Sequence, residues 1–405
     1  MFALYDHTSA RLSDREALMV KHIPPGGNWR NIPESVPSSR LEQIREMSKT
    51  RGIVRTTYYG RLRWNRPSYT ISTYFSRPGN GCFIHPEQDR LISLREGARL
   101  QSFRDSYRFF GSRTSKYSQI GNAVPPLLAY AIAHGLKGSA PSTLVDLFSG
   151  AGGLSEGFRM AGYEILAAQE LDRNCAETYR NNHGTNVIDG DIRKAETKSK
   201  LVDFIEEQGK EVGIVAGGPP CQGFSMAGWF KSDDERNDLF LDFLAVVNKL
   251  RPMHILMENV QGLLWMEKGA ILKAILEKIR AIGYHVEYKV LEAERFGVPQ
   301  LRRRVFIIGT RSGQPKFPEP VFGNSSLDLP NVPTVFDAIS DLPRIRPGIF
   351  EDPQVYDPKW TKTRYQRWCT GSLETREFFS SMVSTWTETQ STQGPPIDVP
   401  SPPVN

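Results

Sequence analysis

The stretch Thr143-Leu144-Val145-Asp146-Leu147-Phe148-Ser149-Gly150-Ala151-Gly152-Gly153 decides the fold. A short apolar run ends in a glycine-rich turn, which lets backbone approach a ligand at the carboxyl edge of a sheet. The dinucleotide fingerprint G-x-G-x-x-G fails, because its third glycine falls on Ser155. That counts against NAD and FAD. Working outward, further short apolar runs lie at Glu164 to Gln169, Val212 to Ala216, His254 to Glu258 and Val305 to Gly309. Between them, Leu239, Phe240, Phe243, Val246, Val247 and Leu250 have helical spacing, as do Ile271, Ile275 and Ile279. Strands alternating with helices predict a parallel, doubly wound α/β sheet over residues 143–313.

The flanks read differently. Residues 1–92 are rich in Arg, Tyr, Trp, Pro and Gly, with short β-like pieces such as Tyr69 to Phe75. Residues 314–388 are similarly irregular. The Pro-rich tail at 389–405 has no aromatics and is expected to be disordered. No internal repeat is present.

The chain has 405 residues, 39% hydrophobic and 24% charged, which suits a globular protein of two or three domains. Disordered, collagenous and small disulfide-stapled classes are excluded. No apolar run approaches the ~18 residues needed to span a bilayer. Met1 to His7 does not read as a secretory signal. Cys82, Cys175, Cys221 and Cys369 form no C-x-x-C pair, so no structural zinc or other metal site is expected. Scattered cysteines without a signal point to a reducing, cytoplasmic setting. The net charge is +6, unevenly spread: residues 1–140 hold 21 Lys+Arg against 10 Asp+Glu, net +11, leaving −5 for the rest. A basic, aromatic-rich segment fits a polyanion such as nucleic acid, or a solvated Arg-biased surface.

Four motifs carry chemistry. About twenty residues past the glycine turn, Glu170 stands where a carboxylate can accept from ribose hydroxyls. Asp191, at the expected end of a third strand, could accept from an adenine amino group. The pair suggests a nucleoside cofactor without a pyrophosphate, or else two surface carboxylates beside a tight turn. The second motif, Gly217-Gly218-Pro219-Pro220-Cys221-Gln222-Gly223-Phe224-Ser225, places Cys221 after a strand at the open sheet edge. Glu258, in Glu258-Asn259-Val260, ends the next strand and would lie beside that loop. A thiolate next to a carboxylic acid is an arrangement for covalent catalysis. In the third, Arg302 and Arg304 alternate into a strand. They could clamp a phosphate or carbonyl oxygen, or form a solvated edge. The fourth, Gln119 to Pro126, reads as a helix N-terminus carrying polar groups.

Together these blocks resemble the DNA cytosine carbon-5 methyltransferases of bacterial restriction-modification systems. Asp146–Gly153 is similar to the family's cofactor loop and Pro219-Pro220-Cys221-Gln222 to its nucleophile loop. Glu258-Asn259-Val260 matches its proton-donor block and Gln300-x-Arg302-x-Arg304 its arginine block. Gln119–Pro126, preceded by Arg95–Phe103, looks like the final pair of motifs. Here that final pair precedes the cofactor loop, which reads as a circular permutation. The usual Phe-Pro-Asp is Phe103-Arg104-Asp105.

The resemblance implies a circularly permuted S-adenosylmethionine-dependent Rossmann-like fold. Its catalytic domain would span 90–313, with motifs at 90–137 and 143–313. A smaller, irregular, β-rich target-recognition domain would be built from 1–89 and 314–388. The cofactor would be held by Phe148, Gly150, Ala151, Gly153, Glu170, Leu171, Asp191, Ile192, Gly218, Pro220, Leu239, Asn122 and Val124. The implied reaction is methyl transfer to carbon 5 of a cytosine flipped out of double-stranded DNA. Cys221 would be the nucleophile, Glu258 the proton donor, Arg304 the carbonyl clamp and Arg302 its support. Candidate DNA contacts are Arg61, Arg63, Trp64, Arg66 and Tyr69, with Gln222 and Ser225 of the cysteine loop. A monomer that protects host DNA is expected. The rivals are an RNA cytosine methyltransferase, a catalytically silent DNA-binding relative and a small-molecule methyltransferase.

Overall fold

The computed structural model describes residues 1–51, 56–138, 140–184, 186–220, 238–323, 329–348 and 350–379. The tail expected at 389–405 lies outside them. A central sheet is built from β1 (Thr143–Leu147), β2 (Glu164–Glu170), β3 (Val187–Asp189), β4 (Ile214–Gly217), β5 (His254–Val260), β6 (His285–Glu292) and β7 (Arg303–Thr310). The spatial order is β6-β7-β5-β4-β1-β2-β3. The neighbours from β3 through β2, β1 and β4 to β5 pair in parallel.

The sheet is mixed rather than parallel. β7 runs antiparallel to both of its neighbours, β5 and β6. The sequence reading missed β6 because much of its middle faces solvent: Glu287, Tyr288 and Lys289 are exposed, which weakens the apolar signal. A short connection returns the chain from β6 into β7. Such a link can only join antiparallel strands, since a parallel pair needs a long crossover.

Alternation along the strands sorts their side chains onto two faces. Val145, Val215, Ile255, Met257, Val305 and Ile307 join one core, with α6 (Ala195–Glu206), α7 (Asp238–Leu250) and α8 (Ala270–Ala281) over it. Leu144, Ile214, Ala216, Leu256, Phe306 and Ile308 join the other. That second face is covered by α1 (Leu94–Leu100), α2 (Arg113–Asn122), α3 (Pro126–Leu136) and α4 (Gly153–Met160), while α5 (Arg173–His183) packs beside β2 and β3. The helices α3 and α4 meet almost backbone to backbone. A Cβ on Gly157 would sit 2.4 Å from the Ala129 side chain and from the Pro126 carbonyl oxygen.

The flanking segments belong to this second core. Phe2–Leu4 pairs antiparallel with Gln354–Tyr356, and Val335 N–H donates to the Arg66 carbonyl. Residues 1–89 and 329–379 therefore meet in space. The described parts of both are poorer in β structure than expected. Of the Tyr69–Phe75 piece only Tyr69 is in a strand, in the two-residue parallel pairing of Ser68–Tyr69 with Gln300–Leu301. Helices at Asp14–Lys21, Ser39–Arg51, Val335–Ile339 and Arg364–Cys369 fill much of the rest. The backbone of Ile71 bonds to side chains instead of a neighbouring strand.

Buried charges pin the segments together. Ser93 and Glu96 form a reciprocal cap at the start of α1, and Arg90 grips the same carboxylate through two bonds of 2.7 Å. Arg99, on α1, reaches Asp105 at 2.8 and 2.7 Å and Asp341 at 2.7 Å, and donates to the Ala338 carbonyl at 2.9 Å. The Arg104 that replaces the usual proline leaves this turn intact, because Asp105 still supplies the carboxylate. His7 is fully buried, with its Nε2 donating to the Pro343 carbonyl at 2.8 Å. Burial lowers its imidazole to about 4, against the opposing pull of Glu96.

Two stability outcomes follow from this packing. Arg99→Met leaves Asp105 and Asp341 buried without their cation, so the unfolding free energy should fall by about 3–5 kcal/mol in denaturant titration. Adding Asp105→Asn and Asp341→Asn should recover part of that loss. His7 is neutral in the folded protein down to about pH 4 but titrates at 6.5 when unfolded. Its contribution is therefore complete above pH 6.5 and is lost as pH falls toward 4, on the order of 3 kcal/mol. Denaturation midpoints measured across that window should drop less steeply in His7→Gln.

Candidate active site

The glycine turn leaves β1 at its carboxyl end. Phe148, Gly150 and Gly152 all have positive φ, at 54°, 55° and 85°. Glycine adopts this region freely, and at Gly150 an added Cβ would meet nothing within 4 Å. The turn faces open space. Ser149 Oγ is buried there without a partner among the described residues. Beneath it, Tyr107 donates its hydroxyl to the Ala151 carbonyl and lies 2.9 Å from His183 Nε2.

Glu170, at the end of β2, braces the same turn. Its carboxylate accepts from Gly150 N–H at 2.7 Å, Leu171 N–H at 2.9 Å and Asp172 N–H at 2.8 Å. Burial pushes this carboxyl up from its ordinary value, while the three backbone donors pull it down. Asp146 is pushed up to about 7 by burial; a 2.6 Å bond from Ser155 opposes the shift and the nearby Glu170 adds to it. Asp191 follows β3 and holds Arg193 through contacts of 2.6 and 3.0 Å, which lower its pKa.

Glu258 lies near the carboxyl end of β5. Strand alternation points it and Arg304 to the same face, as diagonal neighbours across the β5–β7 pairing, and Arg304 Nε meets Glu258 Oε1 at 2.9 Å. The Glu258 side chain is 14% exposed. Burial raises its pKa, and the guanidiniums of Arg304 and Arg302 only partly offset this. Gly218 leaves room for the carboxyl, since a Cβ there would stand 3.2 Å from Glu258 Oε2. Asn259 donates to the Pro219 carbonyl at 3.0 Å and fixes the diproline. Pro220 is the last described residue before the gap. Cys221, Gln222 and Ser225 lie outside the described residues.

One cleft of about 760 Å³ joins these pieces. It is lined by every residue named above for the cofactor: Asn122, Val124, Phe148, Gly150, Ala151, Gly153, Glu170, Leu171, Asp191, Ile192, Gly218, Pro220 and Leu239. Glu258 and Arg304 line it too. Ser149 and Asn259 are additions that the motif reading passed over, although both sit inside motifs it quoted. An open turn with an orphaned hydroxyl and a braced carboxylate fits a polar, nucleoside-bearing ligand. Among the described residues, no group of His, Cys, Asp and Glu could hold a metal ion, and no helix is long and apolar enough to cross a membrane.

Two expectations need correction. Arg302 does not share the cleft with Arg304. It is fully buried and donates to the carbonyls of Ile71, Gly121 and Ala123 at 3.3, 3.0 and 3.1 Å. Arg61 cannot reach DNA: it is 4% exposed and donates to the carbonyls of Val20, Ile23, His85 and Gln88 and to Asp89. Trp64 is partly buried, edge-on to His85 and Phe336. Arg63, Arg66 and Tyr69 do line a second cavity, of about 800 Å³.

Comparison with known proteins follows the same lines. The type II methyltransferase M.AgeI of Thalassovita gelatinovora is 40% identical over 56% of this chain and 57% of its own length. M.AquIA of Picosynechococcus is 42% identical over 50% of this chain and 90% of its own. M1.HphI of Haemophilus parahaemolyticus is 40% identical over 51% of this chain and 54% of its own. The match thus spans little more than half of M.AgeI and M1.HphI. Among solved structures, the S. pombe Dnmt2 methyltransferase matches 43% of this chain and 51% of its own at 23% identity, with a TM-score of 0.34. The family model for C-5 cytosine-specific DNA methylases matches residues 5–138 and 142–392, and the chain belongs to that family.

Proposed function

We propose that this protein transfers a methyl group from S-adenosylmethionine to carbon 5 of a cytosine in duplex DNA. The observation that carries the reading is the single cleft. It presents a braced ribose-type carboxylate on one side and a buried, arginine-paired carboxyl on the other, with Pro220 leading into Cys221. The turn from Phe148 to Gly153 and Glu170 would hold the cofactor, which supplies an electrophilic methyl on a sulfonium.

A base inside a duplex cannot enter such a cleft, so the target cytosine rotates out first. The Cys221 thiolate then adds to carbon 6. Glu258 gives its proton to ring nitrogen 3 as the electron pair moves there, and burial raises its pKa in the direction that favours this acid role. Arg304 holds the carbonyl oxygen at carbon 2 and fixes Glu258. After methyl transfer to carbon 5, the carbon-5 proton leaves, Cys221 departs with the C–S bonding pair as its thiolate, and nitrogen 3 returns its proton to Glu258, which restores the aromatic ring. Arg302 acts from behind the cleft wall by holding Gly121 and Ala123.

The chain order reads as a circular permutation. α3 sits against α4 and runs through a short connection into β1, so the blocks usually found last lead straight into the cofactor loop. The segments 1–89 and 314–388 together serve as the target-recognition region. A host-protection role accords with the type II names of the relatives.

Bisulfite sequencing of unmethylated plasmid, after incubation with the protein and S-adenosylmethionine, tests the reaction and reads its sequence context. Protected cytosines in one context are expected from the wild type and none from Cys221→Ala. Methylation that survives in Cys221→Ala overturns the covalent route, and no protection with the wild type overturns the reaction. A second outcome concerns Glu258. Its proton is lost as pH rises through its raised pKa, so single-turnover rates should fall on the alkaline side. Glu258→Gln should be slower by roughly 10²–10⁴-fold, with that alkaline fall absent.

A further inference from the structure

Tyr69 is 47% exposed and Leu301 43% exposed, and the two are directly paired in the short parallel ladder between Ser68–Tyr69 and Gln300–Leu301. Exposed apolar side chains are common singly, but this pair stands on a base held by a network of hydrogen bonds. Ser68 N–H donates to the Pro299 carbonyl and Thr70 Oγ1 to the Leu301 carbonyl. Ile71 is gripped at both peptide groups: its N–H donates to Gln300 Oε1 at 2.9 Å, and its carbonyl accepts from Arg302 at 3.3 Å. Gln300 in turn donates to Gln101 Oε1 and the Leu100 carbonyl, and Gln101 donates to the Ile120 carbonyl. On the next residues, Gly121 allows the Ser72–Thr73 backbone within 2.5 Å of where its Cβ would be. The exposed ring is thus mounted on buried structure.

Its surroundings favour one partner. Tyr69 and Leu301 line the second cavity together with Arg63 and Arg66. Both arginines are exposed, and neither has a carboxylate partner among the described residues. Of the two carboxylates on the same cavity, Glu292 is engaged by Arg303 at 2.6 Å and Glu294 accepts from the Arg302 backbone N–H at 3.4 Å. An aromatic face beside two exposed guanidiniums suits a base next to phosphates. Leu301 lies three residues from Arg304, at most about 10 Å of chain, which is the scale of two or three stacked bases. Tyr69, paired with Leu301, thus stands beside the stretch of chain that leads into the cleft at Arg304.

We propose that Tyr69, backed by Leu301, is the wedge of this enzyme: it occupies the gap in the duplex, stacking on the adjoining base, when the target cytosine leaves. This rests on the reading of the protein as a DNA cytosine methyltransferase. A wedge lowers the cost of opening a base pair, so it matters only while there is a pair to open.

The test compares two duplexes carrying the sequence context found by bisulfite sequencing, one fully paired and one with an abasic site opposite the target cytosine. Tyr69→Ala should lose roughly tenfold or more in kcat/KM on the paired duplex and less than threefold on the abasic one. Tyr69→Phe should stay within threefold of the wild type on both. The thermal midpoint and the affinity for S-adenosylmethionine should be unchanged in both variants. Tyr69→Ala matching the wild type on the paired duplex overturns the wedge. So does an equal loss on both duplexes, which marks a contact unrelated to opening, or a Tyr69→Phe defect as large as that of Tyr69→Ala. Failure of the wild type to methylate either duplex overturns the methyltransferase reading instead, and this inference with it.

Discussion

Irregular chain buried in a protein interior leaves its carbonyl oxygens without ladder partners, and an unpaired buried carbonyl is costly. Here arginine side chains supply the missing donors. Arg61 serves four carbonyls between Val20 and Gln88, and Arg95 serves those of Tyr5, Arg104 and Tyr107. Arg99 reaches across to Ala338, and Arg302 holds Ile71, Gly121 and Ala123. A guanidinium suits this work because its five N–H groups fan out in one plane and stay charged. Each of these residues joins segments far apart in sequence. The wall of the cleft at Asn122 and Val124 stands where it does because Arg302 fixes the carbonyls beside it.

This also explains what the sequence could and could not disclose. The glycine turn, Glu170, the diproline before Cys221, Glu258 and Arg304 were legible because each is a local pattern placed at a strand end, and strand ends meet at one sheet edge. The arginines were not separable by pattern. Arg61 and Arg63 differ by two positions, yet one is buried under four carbonyls and the other is exposed. Part of the positive charge of the first third is therefore internal, and charge counting alone overstates the surface available to a polyanion. β6 and the antiparallel course of β7 escaped for another reason: an edge strand with a solvated middle has little apolar signal, and strand direction is set by connection length rather than composition.

The antiparallel course of β7 has its own bearing on the chemistry. It sets Arg304 diagonally opposite Glu258 on one face, at the place where the helices covering that face give way to the cleft. Burial favours the neutral acid and the guanidinium favours the carboxylate. Burial prevails and raises the pKa, while Arg304 stands ready as a charged partner for the carboxylate form. A lysine at Arg304 would match the charge but not the planar fork that can hold a carboxylate and a carbonyl oxygen together.

The two faces of the sheet also differ in when they can be completed. The face under α6, α7 and α8 is covered by helices that lie between the strands they pack on. The other face draws on Leu4 to Leu136 and on Val335 to Phe379, and its strands come from residues 144–308. At roughly 5–20 residues per second, synthesis from Leu136 to Ile308 takes on the order of ten seconds or more. Through that interval the apolar side chains of α1 and α3 have only part of their sheet to cover. For this architecture, the period on the ribosome is the time of greatest exposure to aggregation and to chaperones.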